Sequence, residues 1–179
     1  MKMSQKTNHK GLLMCAVFAV LALVGAKYSQ DLRTSPQGLQ LIANAEGCVR
    51  NPYQCPSDVL TVGIGTTDNV EKIKPNKIYS PDEIARLYAK GIKQAEQCVN
   101  QHANGQAMPQ GAFDALVSIT YNVGCGKMQK STLFKLAKQG YKPAMCDQFP
   151  RWIYSNGKKL NGLLKRREQE RQLCLTNKA

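Results

Sequence analysis

Between residues 45 and 66 the chain reads AEGCVRNPYQCPSDVLTVGIGT, which places Glu46, Cys48, Cys55, Asp58 and Thr61 within sixteen positions. A carboxyl group exchanges protons near neutral pH once partial desolvation raises its pKa. A cysteine joins such chemistry only as a free thiol or thiolate, because a disulfide sulfur is neither nucleophile nor base. Its ordinary pKa of about 8.5 would also have to be depressed. These residues therefore suit acid–base chemistry built on Glu46.

The surrounding pattern says what must hold them. TSPQGLQLIANAE reads as a helix capped by Ser35, with Pro36 at its first position and Leu39, Ile42 and Ala43 as its buried stripe. Glu46 follows Ala43 by three residues and Ile42 by four, so it falls on the same face, although a glutamate at a helix end can also fray into solvent. VLTVGIGT alternates Leu60, Val62 and Ile64 against Thr61, Gly63 and Gly65, a strand whose glycine face leaves room for a ligand to approach the backbone. Turn residues on either side make 47–79 a small irregular β lobe.

From Ser80 the chain turns helical, beginning with the capping signature SPDE and a stripe through Ile84, Leu87, Tyr88, Ile92 and Val99. Further helices are expected from about Gln110, near 133–139 and 143–148, and at about 163–173. Asn122 and Gly124 read as a helix end, and Trp152 as core. The fold class is α+β, a small β lobe on a larger helical lobe with a cleft between. Arg166 and Arg167 are candidates for a cation facing that cleft, against the alternative of a solvated basic face shared with Glu168 and Glu170.

Residues 1–27 differ in kind. Three lysines precede sixteen uncharged residues, Gly11 to Ala26, which read as an export signal outside the fold, with the N-terminus kept cytoplasmic. At about 1.5 Å per residue this run spans roughly 24 Å as a helix, short of a hydrocarbon core of about 30 Å. Signal-peptidase cleavage after Ala26 is an alternative fate. Residues 28–34 form a linker and 35–179 the folded domain, divided as 35–46, 47–79 and 80–179.

The 25 Lys and Arg against 12 Asp and Glu give a net charge of +13, suited to an anionic wall or membrane face. The chain lacks an arginine-rich, aromatic-interleaved stripe and zinc-ligand spacing, so nucleic acid, metal and cofactor are not expected. Seven cysteines point to an oxidising compartment, and the odd number leaves one without an internal partner.

EGCVRNPYQC and LTVGIGT, together with FDALVSITYNVGCG, RWIYSNGK and GLLKRREQERQLCL, resemble the phage-type lysozymes of glycoside hydrolase family 24 over about residues 35–176. The resemblance implies a phage-lysozyme-like fold, preceded here by an N-terminal membrane helix. It also implies hydrolysis of the β-1,4 link between N-acetylmuramic acid and N-acetylglucosamine in peptidoglycan. Glu46 would be general acid, Cys55 would fill a slot often held by Asp, and Thr61 would place the attacking water. The family's frequent GxGHT is GIGTT here, with Thr66 in place of His, a change expected to weaken the lobe more than the chemistry. Asp58 is the alternative base, and a basic, disulfide-rich module that binds wall or nucleic acid without cutting is the alternative function.

Cys48 and Cys55 are close enough along the chain to pair across a turn, which would silence Cys55. Cys98, Cys125, Cys146 and Cys174 could form two staples in any of three connectivities. The sequence also resembles the signal-anchor-release endolysins of temperate phages, enzymes held inactive at the periplasmic face of the host inner membrane, and the chain is expected to be a monomer. That likeness implies that residues 11–26 anchor the chain before release to the periplasm. Cys15 would then attack the Cys48–Cys55 bond, take Cys48 and free Cys55.

Overall fold

The computed structural model describes residues 11–54, 59–155 and 157–176. Cys55 and Asp58 lie outside the described residues, as do Lys2, Lys6 and Lys10.

The apolar N-terminal run divides in two. Residues 11–16 are extended: Cys15 N–H donates to Cys48 O at 3.0 Å, and Arg50 N–H donates to Leu13 O at 2.7 Å. Helix α1, Val17–Tyr28, follows and packs on the helical lobe with Val20 and Val24 fully buried. The expectation that residues 11–26 stand outside the fold is corrected here: a run rich in small apolar residues can settle into a protein groove as well as into lipid. Two fully buried valines contribute at most about 3 to 6 kcal/mol to that docking. Among the described residues no helix is long and apolar enough to cross a membrane.

The stretch 28–34 is pinned as well. Arg33 donates to Gly105 O and Met108 O, each at 2.6 Å, and lies 4.0 Å over the Phe113 ring. Thr34 donates from its backbone N–H at 2.7 Å and its hydroxyl at 2.8 Å to the buried Glu96 carboxylate. Ser35 caps α2, Pro36–Glu46, by accepting from Gly38 N–H, and its own N–H donates to Asp114 at 3.0 Å. Leu39, Ile42 and Ala43 are buried, as the stripe predicts.

The β lobe is a three-stranded antiparallel sheet in the order β1, Val49–Gln54, β2, Leu60–Gly63, and β3, Thr66–Thr67. Its glycine face is not open to a ligand, contrary to the sequence expectation. A Cβ on Gly63 would meet Ile84 at 2.9 Å, and one on Gly65 would meet the Glu46 carboxylate at 2.8 Å, so the protein's own side chains occupy that room. Both glycines also have φ near +65°, where a side chain is strained.

Helix α3, Pro81–His102, begins with the predicted capping box between Ser80 and Glu83. Helices α4, Gln110–Val123, α5, Cys125–Met128, and α6, Thr132–Lys138, follow, and then a 3-10 segment over Pro143–Arg151. A two-stranded hairpin that the sequence reading did not foresee, β4, Tyr154–Ser155, with β5, Lys158–Lys159, leads into α7, Asn161–Leu175. The core is centred on α4, with Phe113, Leu116, Val117 and Ile119 fully buried. Trp152 is partly buried against it. Disulfides Cys98–Cys125 and Cys146–Cys174 staple the helical lobe, and Cys15–Cys48 joins the N-terminal arm to the start of β1.

Candidate active site

Gly47, at φ +71°, ends α2 by donating to Ala43 O, which makes Glu46 the last residue of the helix. Glu46 lines a cavity of about 620 Å³ with Asn44, Asn122, Leu163, Lys165 and Arg166. A neighbouring groove of about 770 Å³ runs between α2 and α7 and shares Asn44, Lys165 and Gln169 with it, but Glu46 lines only the smaller cavity.

Arg166 Nη1 donates to Glu46 Oε1 at 2.6 Å. Its Nε donates to Glu170 Oε1 at 3.2 Å and its Nη2 to Ser118 O at 3.3 Å, so all three nitrogens are held. Burial opposes the charge on Arg166, but the facing carboxylates Glu46 and Glu170 outweigh it and raise the pKa. Beneath Glu46, Tyr121 donates to Ile64 O at 2.5 Å and Tyr88 to Leu39 O at 2.7 Å, their rings meeting edge to face at 5.8 Å. Burial raises both phenol pKa values, with the Glu46 charge adding to the effect, so both stay neutral.

Of the residues singled out in the sequence, Glu46 and Arg166 are brought into one ion pair. Thr61 is buried on β2, 4% exposed, and its hydroxyl donates to Val59 O at 3.0 Å. Arg167 does not enter the pocket. It is fully buried behind it, donating to Asn122 Oδ1 at 3.1 Å and paired with Glu170 Oε2 at 2.8 Å. Burial lowers its pKa to about 10, the Glu170 charge offsetting part of that effect.

The solvated basic face weighed for this helix is therefore corrected, since Arg166, Arg167 and Glu170 are all buried while Glu168 is exposed. Sequence reasoning missed Asn122, read as part of a helix end: Gly124 does cap α4, at φ +89°, but Asn122 lines the cavity. It also missed Glu170, whose charge gave no hint of burial.

The phage lysozyme family profile matches residues 43–170, which include every residue of this site. The chain belongs to the phage lysozyme family. It is 40% identical to the SAR-endolysin of Escherichia phage P1, over 97% of each chain. It is 38% identical to the SAR-endolysin of Haemophilus phage HP1, over 92% of this chain and 95% of that one. Among solved structures it is similar to the active form of the P1 phage endolysin Lyz, with a TM-score of 0.83 at 39% identity over 93% and 97% of the two chains. Against the secreted inactive form of the same endolysin the TM-score is 0.57, at 40% identity over 80% and 96%. This phage lysozyme has the α+β fold, and the active form superposes on it with the higher score and over a larger share of the chain.

The described residues supply a pocket with one carboxylate, Glu46, on a fixed cation. Acid-catalysed hydrolysis of a glycosidic bond ordinarily uses two carboxyl groups.

Proposed function

We propose that this phage lysozyme is an endolysin, an N-acetylmuramidase that cuts the β-1,4 link between N-acetylmuramic acid and N-acetylglucosamine in peptidoglycan and so lyses the host. Glu46 is the general acid: Arg166 holds Oε1, which leaves Oε2 to carry the proton to the leaving oxygen. Cys55, as thiolate, is the second group, and Thr61 places the attacking water. Arg166 fixes Glu46 and meets the substrate's polar groups.

Before activation the chain is tethered to the host inner membrane through residues 11–26, with its N-terminus cytoplasmic and its lysozyme domain in the periplasm as a monomer. The short apolar run is a weak anchor. On release, Cys15 leaves the bilayer and its thiolate attacks Cys48 of a Cys48–Cys55 disulfide, forming Cys15–Cys48 and expelling Cys55 as thiolate. The bond between Cys15 and Cys48 is the observation that carries this reading. The other four cysteines among the described residues are bonded to one another, as Cys98–Cys125 and Cys146–Cys174.

Two variants test the proposal. Purified Glu46→Gln should bind peptidoglycan and release no reducing ends, whereas retained hydrolysis removes Glu46 from its role. Cys15→Ser, freed from the membrane under oxidising conditions, should stay inactive with Cys48 bonded to Cys55, and full activity refutes the exchange. The mass of the released wild-type protein should include residues 1–26; a protein beginning at residue 27 points instead to signal-peptidase cleavage.

A further inference from the structure

Glu170 is fully buried in α7, and three donors converge on its Oε1: Ser118 Oγ at 2.6 Å, Arg167 Nη2 at 3.0 Å and Arg166 Nε at 3.2 Å. Its Oε2 faces Arg167 Nε at 2.8 Å. Both guanidiniums therefore have fixed orientations. Arg166, held at Nε, can present only its far edge, and Nη1 lands on Glu46. Arg167, hydrogen-bonded to Glu170 through Nη2 and ion-paired with it through Nε, also turns Nη2 toward Asn122 Oδ1, on a second residue of the same cavity.

Stability alone is a poor reason for this cluster. A buried ion pair often adds nothing over apolar residues of the same volume, because desolvating the charges costs about as much as their attraction returns. What the pair adds is direction, with both of its branches ending in the cavity that holds the acid. It also adds charge balance. The Arg167 and Glu170 charges offset one another, which leaves Arg166 to face Glu46.

We propose that Arg167 and Glu170 are positioning residues of the hydrolytic site, a neutral buried pair that aims Arg166 at Glu46, holds Asn122 in the cavity and keeps the field at the acid balanced. The proposal rests on Glu46 being the general acid. The other ionisable groups around the cluster are Tyr88 from α3, Tyr121 from α4 and Lys165 at the cavity rim on α7. In the 3-10 segment Asp147 is engaged at the surface by Arg171, and Arg151 by Gln148.

Changing one charge at a time gives opposite signs. Glu170→Gln leaves an excess positive charge beside Glu46, favours its ionised form, and should move the alkaline limb of the pH profile of kcat/KM down by roughly 0.5 to 1 unit. Arg167→Gln leaves an excess negative charge and should move that limb up by about as much. A purely structural pair would weaken the fold in both variants without opposite displacements.

The carboxyl carbon shift of Glu46, followed by NMR against pH, reads the same displacement with no substrate present. It keeps failure of this inference distinct from failure of the muramidase reading. The double change Arg167→Met with Glu170→Leu restores charge balance in an apolar form that should fold. With its aim lost, kcat should fall about tenfold with KM within about twofold. Folded single variants whose limbs stay in place or move together, or a double variant with wild-type kcat, overturn the proposal.

Discussion

Gly65 and Glu46 share one space: a Cβ on Gly65 would lie 2.8 Å from Glu46 Oε2 and 3.0 Å from its Cδ. The absence of a side chain in the β lobe is what lets the carboxylate at the end of α2 lie against the sheet. Gly65→Ala should displace Glu46 and lower peptidoglycan hydrolysis by about tenfold or more. It should also cost about 1 to 2 kcal/mol for the left-handed backbone. Gly63→Ala, at φ +64° and against Ile84, is the comparison, with a similar loss of unfolding midpoint and a much smaller loss of rate.

Arg166 faces two carboxylates with almost no water around it. Arg166→Met leaves both uncompensated and should destabilise the protein by about 3 to 5 kcal/mol, measured by urea unfolding. Arg166→Lys keeps the charge but not the planar fork that reaches Glu46, Glu170 and Ser118 together. It should unfold closer to wild type while its rate still falls about tenfold.

The two helical-lobe disulfides close loops of similar size, with sequence separations of 27 and 28 residues. In the chain-entropy picture each contributes about 3 to 4 kcal/mol by restricting the unfolded chain. Replacing Cys98 and Cys125 by alanine should therefore lower the urea midpoint by about as much as replacing Cys146 and Cys174. A large difference between the pairs would place the contribution in native packing instead.

Lys77 beside Glu83, with the Ser80 backbone N–H behind it, lowers the Glu83 carboxyl from its ordinary 4.5 to about 2. A depressed carboxyl stabilises the fold above its unfolded pKa and loses that contribution as pH falls through the folded value. The window is thus about pH 4.5 down to 2. Glu83 is about one-third exposed, so solvent screening reduces the effect to about 1 kcal/mol. Wild type should lose that much more stability than Glu83→Gln between pH 6 and pH 2 in paired urea titrations.

Much of the fold was written locally. Ser35 before Pro36, and Ser80 two residues before Asp82 and three before Glu83, announce helix starts through hydrogen bonds spanning three residues, and the structure makes those bonds. Glu46 was legible for the same reason, its placement following from helical spacing. What stayed hidden depends on distant partners. KRREQER in α7 reads as a solvated surface, because only the fold reveals that Glu170 and the arginines neutralise one another in the interior. Gly65 suggested space for a ligand, while the occupant comes from a helix nineteen residues earlier. The pairing of four cysteines is likewise a property of topology that spacing leaves open.

The bond between Cys15 and Cys48, together with the contacts of Arg33 and Thr34, fastens α1 at both of its ends. The helix is therefore a segment of a closed ring and not a dangling tail. A protease that nicked the backbone between residues 16 and 33 would leave the extended arm bound to the sheet by sulfur, with one band on a gel run without reductant and two with it.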